Sequence, residues 1–245
     1  MKEKQNIGAL FDRIAGKYDF LNHLLSFNID KRWRREAVST LMSNLSKGQS
    51  DVFSSVKALD VAIGTADLAV ELARRLGKSG TAFSITGIDL SSEMMHIGEE
   101  KVRRKHLQES ISFMKASALE MPFDADIFDI VTCSYGVRNF SDLNKGLMEM
   151  QRVLKRGGQL MILEFSYPKN RLIAGVYDLY FTHILPSVGH MLSKDRTAYT
   201  YLNRSVKNFV WGEDMCEKLT TAGFCDVKYI PLTFGISTIY TATKA

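Results

Sequence analysis

The chain has 245 residues, 45% of them hydrophobic and 24% charged, with 14 Phe, 9 Tyr and 2 Trp, which excludes disorder and low complexity and allows a core to form without staples. Its three cysteines, Cys133, Cys216 and Cys225, are too scattered for a disulfide framework and form no CxxC or Cys/His cluster, so no metal is expected and a reduced, cytoplasmic compartment follows. The net charge of +5 concentrates in residues 1–50, with nine Lys/Arg against five Asp/Glu, and residues 166–211, with six against two; such segments face nucleic acid, anionic lipid or an anionic substrate, or are solvated helix faces.

In chain order, Met1 to Asn6 are polar with no apolar stretch behind them, which argues against a secretory signal, and no run reaches the ~20 apolar residues of a membrane span. From Asn6 to about Ser46 the apolar spacing predicts helices, through Leu10, Phe11, Ile14, Leu21, Leu24 and Leu25 to Trp33, Ala37, Val38 and Leu41. Polar residues from Ser43 to Ser55 form a linker. The rhythm then alternates: strand Val56 to Ala62, helix Asp67 to Leu76, strand Thr81 to Asp89, helix Ser91 to Lys105, strands Ile111 to Ala116 and Ile127 to Ser134, helix Ser141 to Val153, strand Gln159 to Phe165. Such alternation predicts an α/β fold of parallel βαβ units. Residues 166–211 break it with eight aromatics, among them Tyr177, Tyr180, Tyr199 and Tyr201, and read as an inserted helical cap. A helix from about Gly212 to Ala222 follows, then strands Cys225 to Leu232 and Ile236 to Thr243. The short connection between those strands forces an antiparallel hairpin.

A mostly parallel seven-stranded sheet ending in such a hairpin resembles the Rossmann-like fold of class I methyltransferases. The expected division is an N-terminal helical lid at 1–50, a core at 51–165 and 212–245, and the cap at 166–211. The first strand, Ala58-Leu59-Asp60-Val61-Ala62, runs into Ile63-Gly64-Thr65-Ala66-Asp67-Leu68, a small-residue turn that lets the backbone approach a ligand at the carboxyl ends of the strands. Only Gly64 of a dinucleotide GxGxxG pattern is present, so NAD binding is disfavoured. Asp89 ends the second strand where a ribose diol would lie, or caps the next helix.

One family matches these landmarks together: the chain resembles the ubiquinone/menaquinone biosynthesis C-methyltransferases. The resemblance rests on Tyr18-Asp19-Phe20-Leu21-Asn22 with Ser26 and Trp33, on Tyr135-Gly136-Val137-Arg138-Asn139, on Arg152-Val153-Leu154-Lys155-Arg156-Gly157-Gly158 with Leu163-Glu164-Phe165-Ser166, and on Val176-Tyr177-Asp178-Leu179-Tyr180 in the cap. It implies S-adenosylmethionine as cofactor, with contacts at Gly64, Thr65, Asp89, Ser117, Ala118 and Ser134. The loop Ala116 to Phe123 would surround the adenine. Lys17 and Tyr18 would close over the cofactor carboxylate, and Tyr18, Asn22, Tyr177 and Tyr201 would meet the substrate. Ile63 and Ala66 depart from the family's glycines, Asn28 and Asp30 replace its Gly and His, and Arg156 replaces a proline.

The reaction so implied is C-methylation of a prenylated quinol, demethylmenaquinol to menaquinol, with the benzoquinol step of ubiquinone synthesis as the alternative. A phenol of pKa near 10 is ionised about one part in a thousand at pH 7, a cost of roughly 4 kcal/mol. Arg138 is the expected catalytic residue, stabilising the developing phenolate or holding a relay water, unless a neighbouring acid engages it in a structural ion pair. The five histidines never pair at metal-ligand spacing. The aromatic, basic cap suits a prenylated substrate and peripheral contact with the inner face of the cytoplasmic membrane; a homo-oligomer stays open. A nucleic-acid methyltransferase is disfavoured because Cys133-Ser134-Tyr135-Gly136 stands where base-amine methylases carry Asn/Asp-Pro-Pro-Tyr/Phe, and no nucleic-acid module is present. A non-catalytic cofactor-binding protein is kept open by Ile63 and Ala66.

Overall fold

The computed structural model describes residues 8–13, 15, 16, 26, 28–48, 55–179, 201 and 204–245. Seven strands, β1 (Ser55–Val61), β2 (Ala82–Asp89), β3 (Ile111–Lys115), β4 (Phe128–Ser134), β5 (Leu154–Phe165), β6 (Phe224–Leu232) and β7 (Ser237–Lys244), form one sheet in the order β3-β2-β1-β4-β5-β7-β6. The first five are parallel, and β7 runs antiparallel to both β5 and β6. The sheet is joined by helices α1 (Ile29–Gly48), α2 (Asp67–Lys78), α3 (Ser92–Arg104), α4 (Leu143–Val153), α5 (Arg171–Leu179) and α6 (Glu213–Thr221), with short 3-10 turns at Val137–Asn139 and Thr233–Gly235. The expected α/β layout and its hairpin are therefore present.

Alternation along the strands explains the two layers, because neighbouring side chains point to opposite faces of a sheet. Ala58, Ile130 and Met161 pack with the apolar sides of α1 and α2, whereas Leu59, Val131 and Ile162 pack with Leu147 and Met150 of α4 and Met215 and Leu219 of α6. Helix α1 buries Trp33, Ala37, Val38, Leu41 and Leu45. Because Leu45 continues that stripe, α1 extends to Gly48 and takes up the first part of the expected 43–55 linker.

Strand β5 begins five residues before the expected Gln159. Leu154 pairs with Phe128, then the register shifts so that Gln159 meets Ile130. Gly157, at φ 74°, accommodates the intervening bulge, and Lys155 reaches Asp129 at 2.7 Å. Local periodicity could not reveal a strand interrupted by an unpaired stretch.

The departures at Asn28 and Asp30 are accommodated locally. Asn28 has φ 60°, a left-handed conformation that asparagine tolerates better than most residues. Asp30 is buried and engages Arg34, with Ser26 Oγ donating to its carboxylate at 2.6 Å. Arg34 also meets Asp67 at 2.8 Å, and Lys101 meets Asp67 at 2.6 Å, so this network ties α1 to α2 and α3. The Tyr18 and Asn22 positions, Lys17, and half of the expected cap lie outside the described residues.

Ile63 has a specific packing partner. Its side chain is 5% exposed and fills the space above Gly87, where an added Cβ would lie 2.0 Å from Ile63 Cδ1. Gly87→Ala should therefore lower stability by about 1–3 kcal/mol. Ile63→Ala should open room for it, so that the double variant loses less than the sum of the single losses. Urea unfolding of all four proteins checks this; strict additivity would mean that the two positions do not contact.

Candidate active site

The carboxyl ends of β1, β2 and β4 surround a cavity of about 280 Å³, near the roughly 300 Å³ lower bound of small-molecule clefts. Its floor is the turn after β1. Ala62, Gly64 and Ala66 all have positive φ, at 58°, 52° and 64°, and the chain folds back so that α2 starts at Asp67. At Gly64 an added Cβ would meet only the Ala62 carbonyl, 4.0 Å away, leaving this cavity-lining position open toward a ligand. Ala66 accepts a conformation costing an L-residue about 1–2 kcal/mol. It is fully buried, and its N–H donates to the Ile63 carbonyl at 2.9 Å.

Asp89 joins two of these strand ends. Its carboxylate accepts the Gly64 N–H at 2.9 Å and the Ser91 N–H at 2.9 Å. A carboxylate has roughly four acceptor positions, so capacity remains for a diol in the cavity that Asp89 lines. Burial raises its pKa, the Ser91, Gly64 and Leu90 amides oppose that rise, and nearby Asp12 adds to it. The alternative sequence reading of Asp89, as the cap of the next helix, is not met, although its carboxylate accepts the Ser91 N–H just before α3. The formal cap of α3 is Ser91, whose Oγ accepts the Met94 N–H at 3.2 Å.

The leading helical residues 8–13 lie against this end of the site. Gly8 and Phe11 line the cavity, while Asp12 accepts Ser91 Oγ at 2.6 Å and the Glu93 N–H at 3.2 Å. A carboxylate at the start of α3 is favoured by the exposed amides and positive dipole end there. No sequence motif marks this contact, because Asp12 and Ser91 are 79 positions apart.

On the opposite wall, Ala116, Ser117, Ala118 and Leu119 line the cavity. Ser117 Oγ accepts the Leu119 N–H at 3.1 Å, shaping the turn, and the following Met121-Pro122-Phe123 stretch is clamped from α4. Arg152 donates to the Phe123 and Met121 carbonyls at 2.7 and 3.1 Å, while Glu149 accepts the Met121 N–H at 2.7 Å. This clamp was not foreseen from sequence. Its signal was the Glu149/Arg152 spacing on a helix, which also reads as an ordinary surface pair.

At the end of β4 the wall consists of Ser134, Tyr135, Gly136 and Asn139. Gly136 is required by close approach, since a Cβ there would lie 2.7 Å from the Ala62 Cβ and 2.8 Å from Cys133 Sγ. Arg138, the expected catalytic residue, is 6% exposed and does not line the cavity. Its Nη1 donates to Glu164 Oε1 at 2.7 Å and to the Tyr135 carbonyl, its N–H donates to Glu164 Oε2 at 3.3 Å, and its guanidinium lies 5.3 Å from the Phe165 ring centroid. Glu164 is the neighbouring acid whose engagement was the structural alternative for this arginine.

Of the other expected residues, Gly64, Asp89, Ser117, Ala118 and Ser134 line the cavity together, whereas Thr65 is buried beside it. Tyr201 reaches the site indirectly, its hydroxyl donating to Asn139 Oδ1 at 3.0 Å. Tyr177 is buried on α5, edge-to-face with Tyr167 at 5.8 Å, and does not line the cavity. Gly8, Phe11, Tyr135 and Asn139 line it without having been singled out as site residues.

Residues 1–244 match the model of the ubiE/COQ5 methyltransferase family. The chain belongs to that family. It is 40% identical over 243 residues to a demethylmenaquinone methyltransferase of Bacteroides fragilis, covering 99% of this chain and 94% of that protein. It is 42% identical over 240 residues to a ubiquinone/menaquinone biosynthesis C-methyltransferase UbiE of Geobacter sulfurreducens, covering 98% and 89%. Among solved structures, the methyltransferase resembles the [4+2]-cyclase SpnF, with a TM-score of 0.69, 17% identity and coverage of 98% and 96%. It also resembles a SAM-dependent methyltransferase, a possible histamine N-methyltransferase, of Thermotoga maritima, with a TM-score of 0.64, 17% identity and coverage of 97% and 99%. At those identities the structural likeness speaks for the fold.

Two buried ionisable groups of the methyltransferase yield measurable expectations. Removing one partner of a buried ion pair costs about 3–5 kcal/mol, so Arg138→Ala should lower the melting temperature markedly. An unchanged melting curve would show that the Glu164 pair contributes nothing to stability. Asp60, 1% exposed, accepts Thr132 Oγ1 at 2.8 Å; burial pushes its carboxyl up to about 7, opposed by the Thr132 bond and reinforced by Asp89. Between the unfolded value of about 3.9 and that folded value, only the native state holds the proton. Stability attributable to Asp60 is thus fully present below about pH 4 and falls as pH rises to about 7, by roughly 3–4 kcal/mol. Asp60→Asn should flatten this part of the stability–pH profile; an unchanged slope would assign the dependence elsewhere.

Proposed function

We propose that this chain transfers a methyl group from S-adenosylmethionine to a ring carbon of a prenylated quinol, converting demethylmenaquinol to menaquinol. The observation that carries the cofactor assignment is the cavity itself: Asp89 is the one charged side chain among its described lining residues, facing an opening that Gly64 leaves free of side chain. The near full-length similarity to a demethylmenaquinone methyltransferase supports the substrate. The Geobacter relative's name also covers ubiquinone synthesis, which keeps C-methylation of 2-methoxy-6-polyprenyl-benzoquinol as the second reading.

The residues present fit the cofactor. Asp89 would accept from the ribose hydroxyls, Ser117 and Ala118 would meet the adenine edge, and Gly64 and Ser134 would lie beside the methionine portion, with Thr65 supporting the turn. When bound, S-adenosylmethionine supplies an electrophilic methyl group for in-line attack by the quinol carbon. Gly8 and Phe11 cover one side of the cavity, so the leading helical residues act as a lid that excludes water and holds the reactants in register. Arg138 serves here as a positioning residue: by holding the Tyr135 carbonyl and Glu164, it sets the turn that presents Tyr135 and Asn139 to the substrate. Tyr201 fixes the Asn139 amide from the other side. Tyr18 and Asn22 belong to the proposed substrate enclosure, from which Tyr177, absent from the cavity lining, is left out.

We also propose contact with a membrane surface, a reading that the prenyl tail of the proposed substrate supports. No helix among the described residues is long and apolar enough to cross a membrane, and we assign peripheral contact at the inner face of the cytoplasmic membrane.

Incubation with S-adenosylmethionine and reduced demethylmenaquinone should give a product one methylene heavier by mass spectrometry. Methylation of only the benzoquinol would select the second reading. Asp89→Ala should weaken S-adenosylmethionine binding by about 1.5–3 kcal/mol, because a charged acceptor is lost from a partly buried site. Unchanged affinity by calorimetry would remove Asp89 from the cofactor site.

A further inference from the structure

Helix α5 is apolar on two sides. Its inner side buries Tyr177 and partly buries Ile173 and Ala174, whereas Leu172, Val176 and Leu179 are 83%, 70% and 58% exposed. Spacings of four and three residues place the latter three on one outward stripe. A helix apolar on its solvent side requires a partner surface, because contiguous exposed apolar area of this kind is uncommon on a monomer.

A second exposed apolar group lies in a turn that packs against the segment leading into this helix. Phe234, 75% exposed, sits in the β6–β7 turn between Thr233 and Gly235, and the three have φ of 45°, 60° and 88°. A left-handed conformation is costly for a bulky side chain and persists only where the surroundings hold it. They do so here: Trp33 Nε1 donates to Thr233 Oγ1 at 2.8 Å, Ser166 Oγ donates to the Gly235 carbonyl at 2.7 Å, and the Ser166 N–H donates to the Ile236 carbonyl at 3.0 Å. These bonds staple the turn to the segment that leads from β5 into α5.

The charge around this surface is positive. Lys169 and Arg171, at the start of α5, are exposed, while the helix's one acid, Asp178, is engaged by Lys207 at 2.7 Å and by the Tyr167 hydroxyl. The segment to which the turn is stapled reaches the cavity wall, since Phe165, just before Ser166, stacks on the cavity-lining Tyr135 with centroids 4.5 Å apart.

We infer that Leu172, Val176, Leu179 and Phe234, flanked by Lys169 and Arg171, form a surface that docks on an anionic lipid bilayer. Apolar side chains enter the acyl boundary while the two cations meet phosphate headgroups. The inference deepens the proposed quinol reading by naming the face through which a membrane-borne substrate is presented, but the docking itself is independent of catalysis.

The test is co-sedimentation of the full chain, without substrate, with vesicles of phosphatidylcholine alone or mixed with phosphatidylglycerol. The wild type should bind the mixed vesicles and lose binding as salt rises. Leu172→Ser with Val176→Ser, and separately Phe234→Ser, should each cut binding about tenfold or more, as should Lys169→Glu with Arg171→Glu. Methylation of a water-soluble short-tailed demethylmenaquinol should be unchanged in these variants, while turnover of vesicle-embedded quinol falls. Absence of wild-type vesicle binding, or equal binding by the variants, overturns the surface assignment. So does a concentration-dependent dimer in ultracentrifugation that the serine variants abolish, which would assign the face to a second copy of the chain. A marked drop in melting temperature in the serine variants also overturns it, since the face would then be packed within the fold. Failure of methyl transfer with vesicle binding intact would count against the quinol reading alone.

Discussion

A parallel sheet leaves every strand's carboxyl end at the same edge, and something must join those ends without filling the space above them. The Asp89 carboxylate does this by accepting amides from the turn after β1 and from the start of α3. Most of the site is built around that junction: the open backbone of Gly64, the capped start of α3 and the seat for Asp12. Burial works against the charge that the junction carries, and three backbone amides work in its favour. The turn can therefore present an acceptor to a ligand while its own geometry is held by the same group.

The departures from the family's usual residues read as local exchanges of space and charge. Ile63 occupies the volume above Gly87 and does not intrude into the cavity. Asp30 finds Arg34 and becomes part of the network joining three helices. Ala66 is different, because its left-handed backbone is a cost with no visible contact that only alanine could make.

Fold and chemistry separate clearly in this protein. A [4+2]-cyclase and a SAM-dependent methyltransferase share its architecture at 17% identity each, so the sheet by itself does not name a reaction. Discrimination lies in the lining of one cavity and in the groups that hold that lining. Arg138 illustrates the second class: a cation beside a proposed phenolate site is chemically attractive, yet the buried carboxylate of Glu164, 2.7 Å away, already pairs with it.

The alternating apolar runs, the small-residue turn at 63–67 and the short β6–β7 connection were enough to determine the layered α/β fold and its antiparallel end, because periodicity and connection length are local properties of the chain. Gly64 and Asp89 were legible for the same reason, lying at or just beyond the carboxyl ends of the first two strands, whereas Ser117, Ala118 and Ser134 were expected only from the family resemblance. The interrupted start of β5, the Arg152 clamp, the Asp12 contact and the Glu164 partner of Arg138 were not legible. Each depends on groups brought together from separate elements, or on a register set by a neighbouring strand. Spacing along one segment cannot state which charges will meet once the chain closes, and only the packed tertiary structure decides whether an arginine faces a ligand or a buried carboxylate.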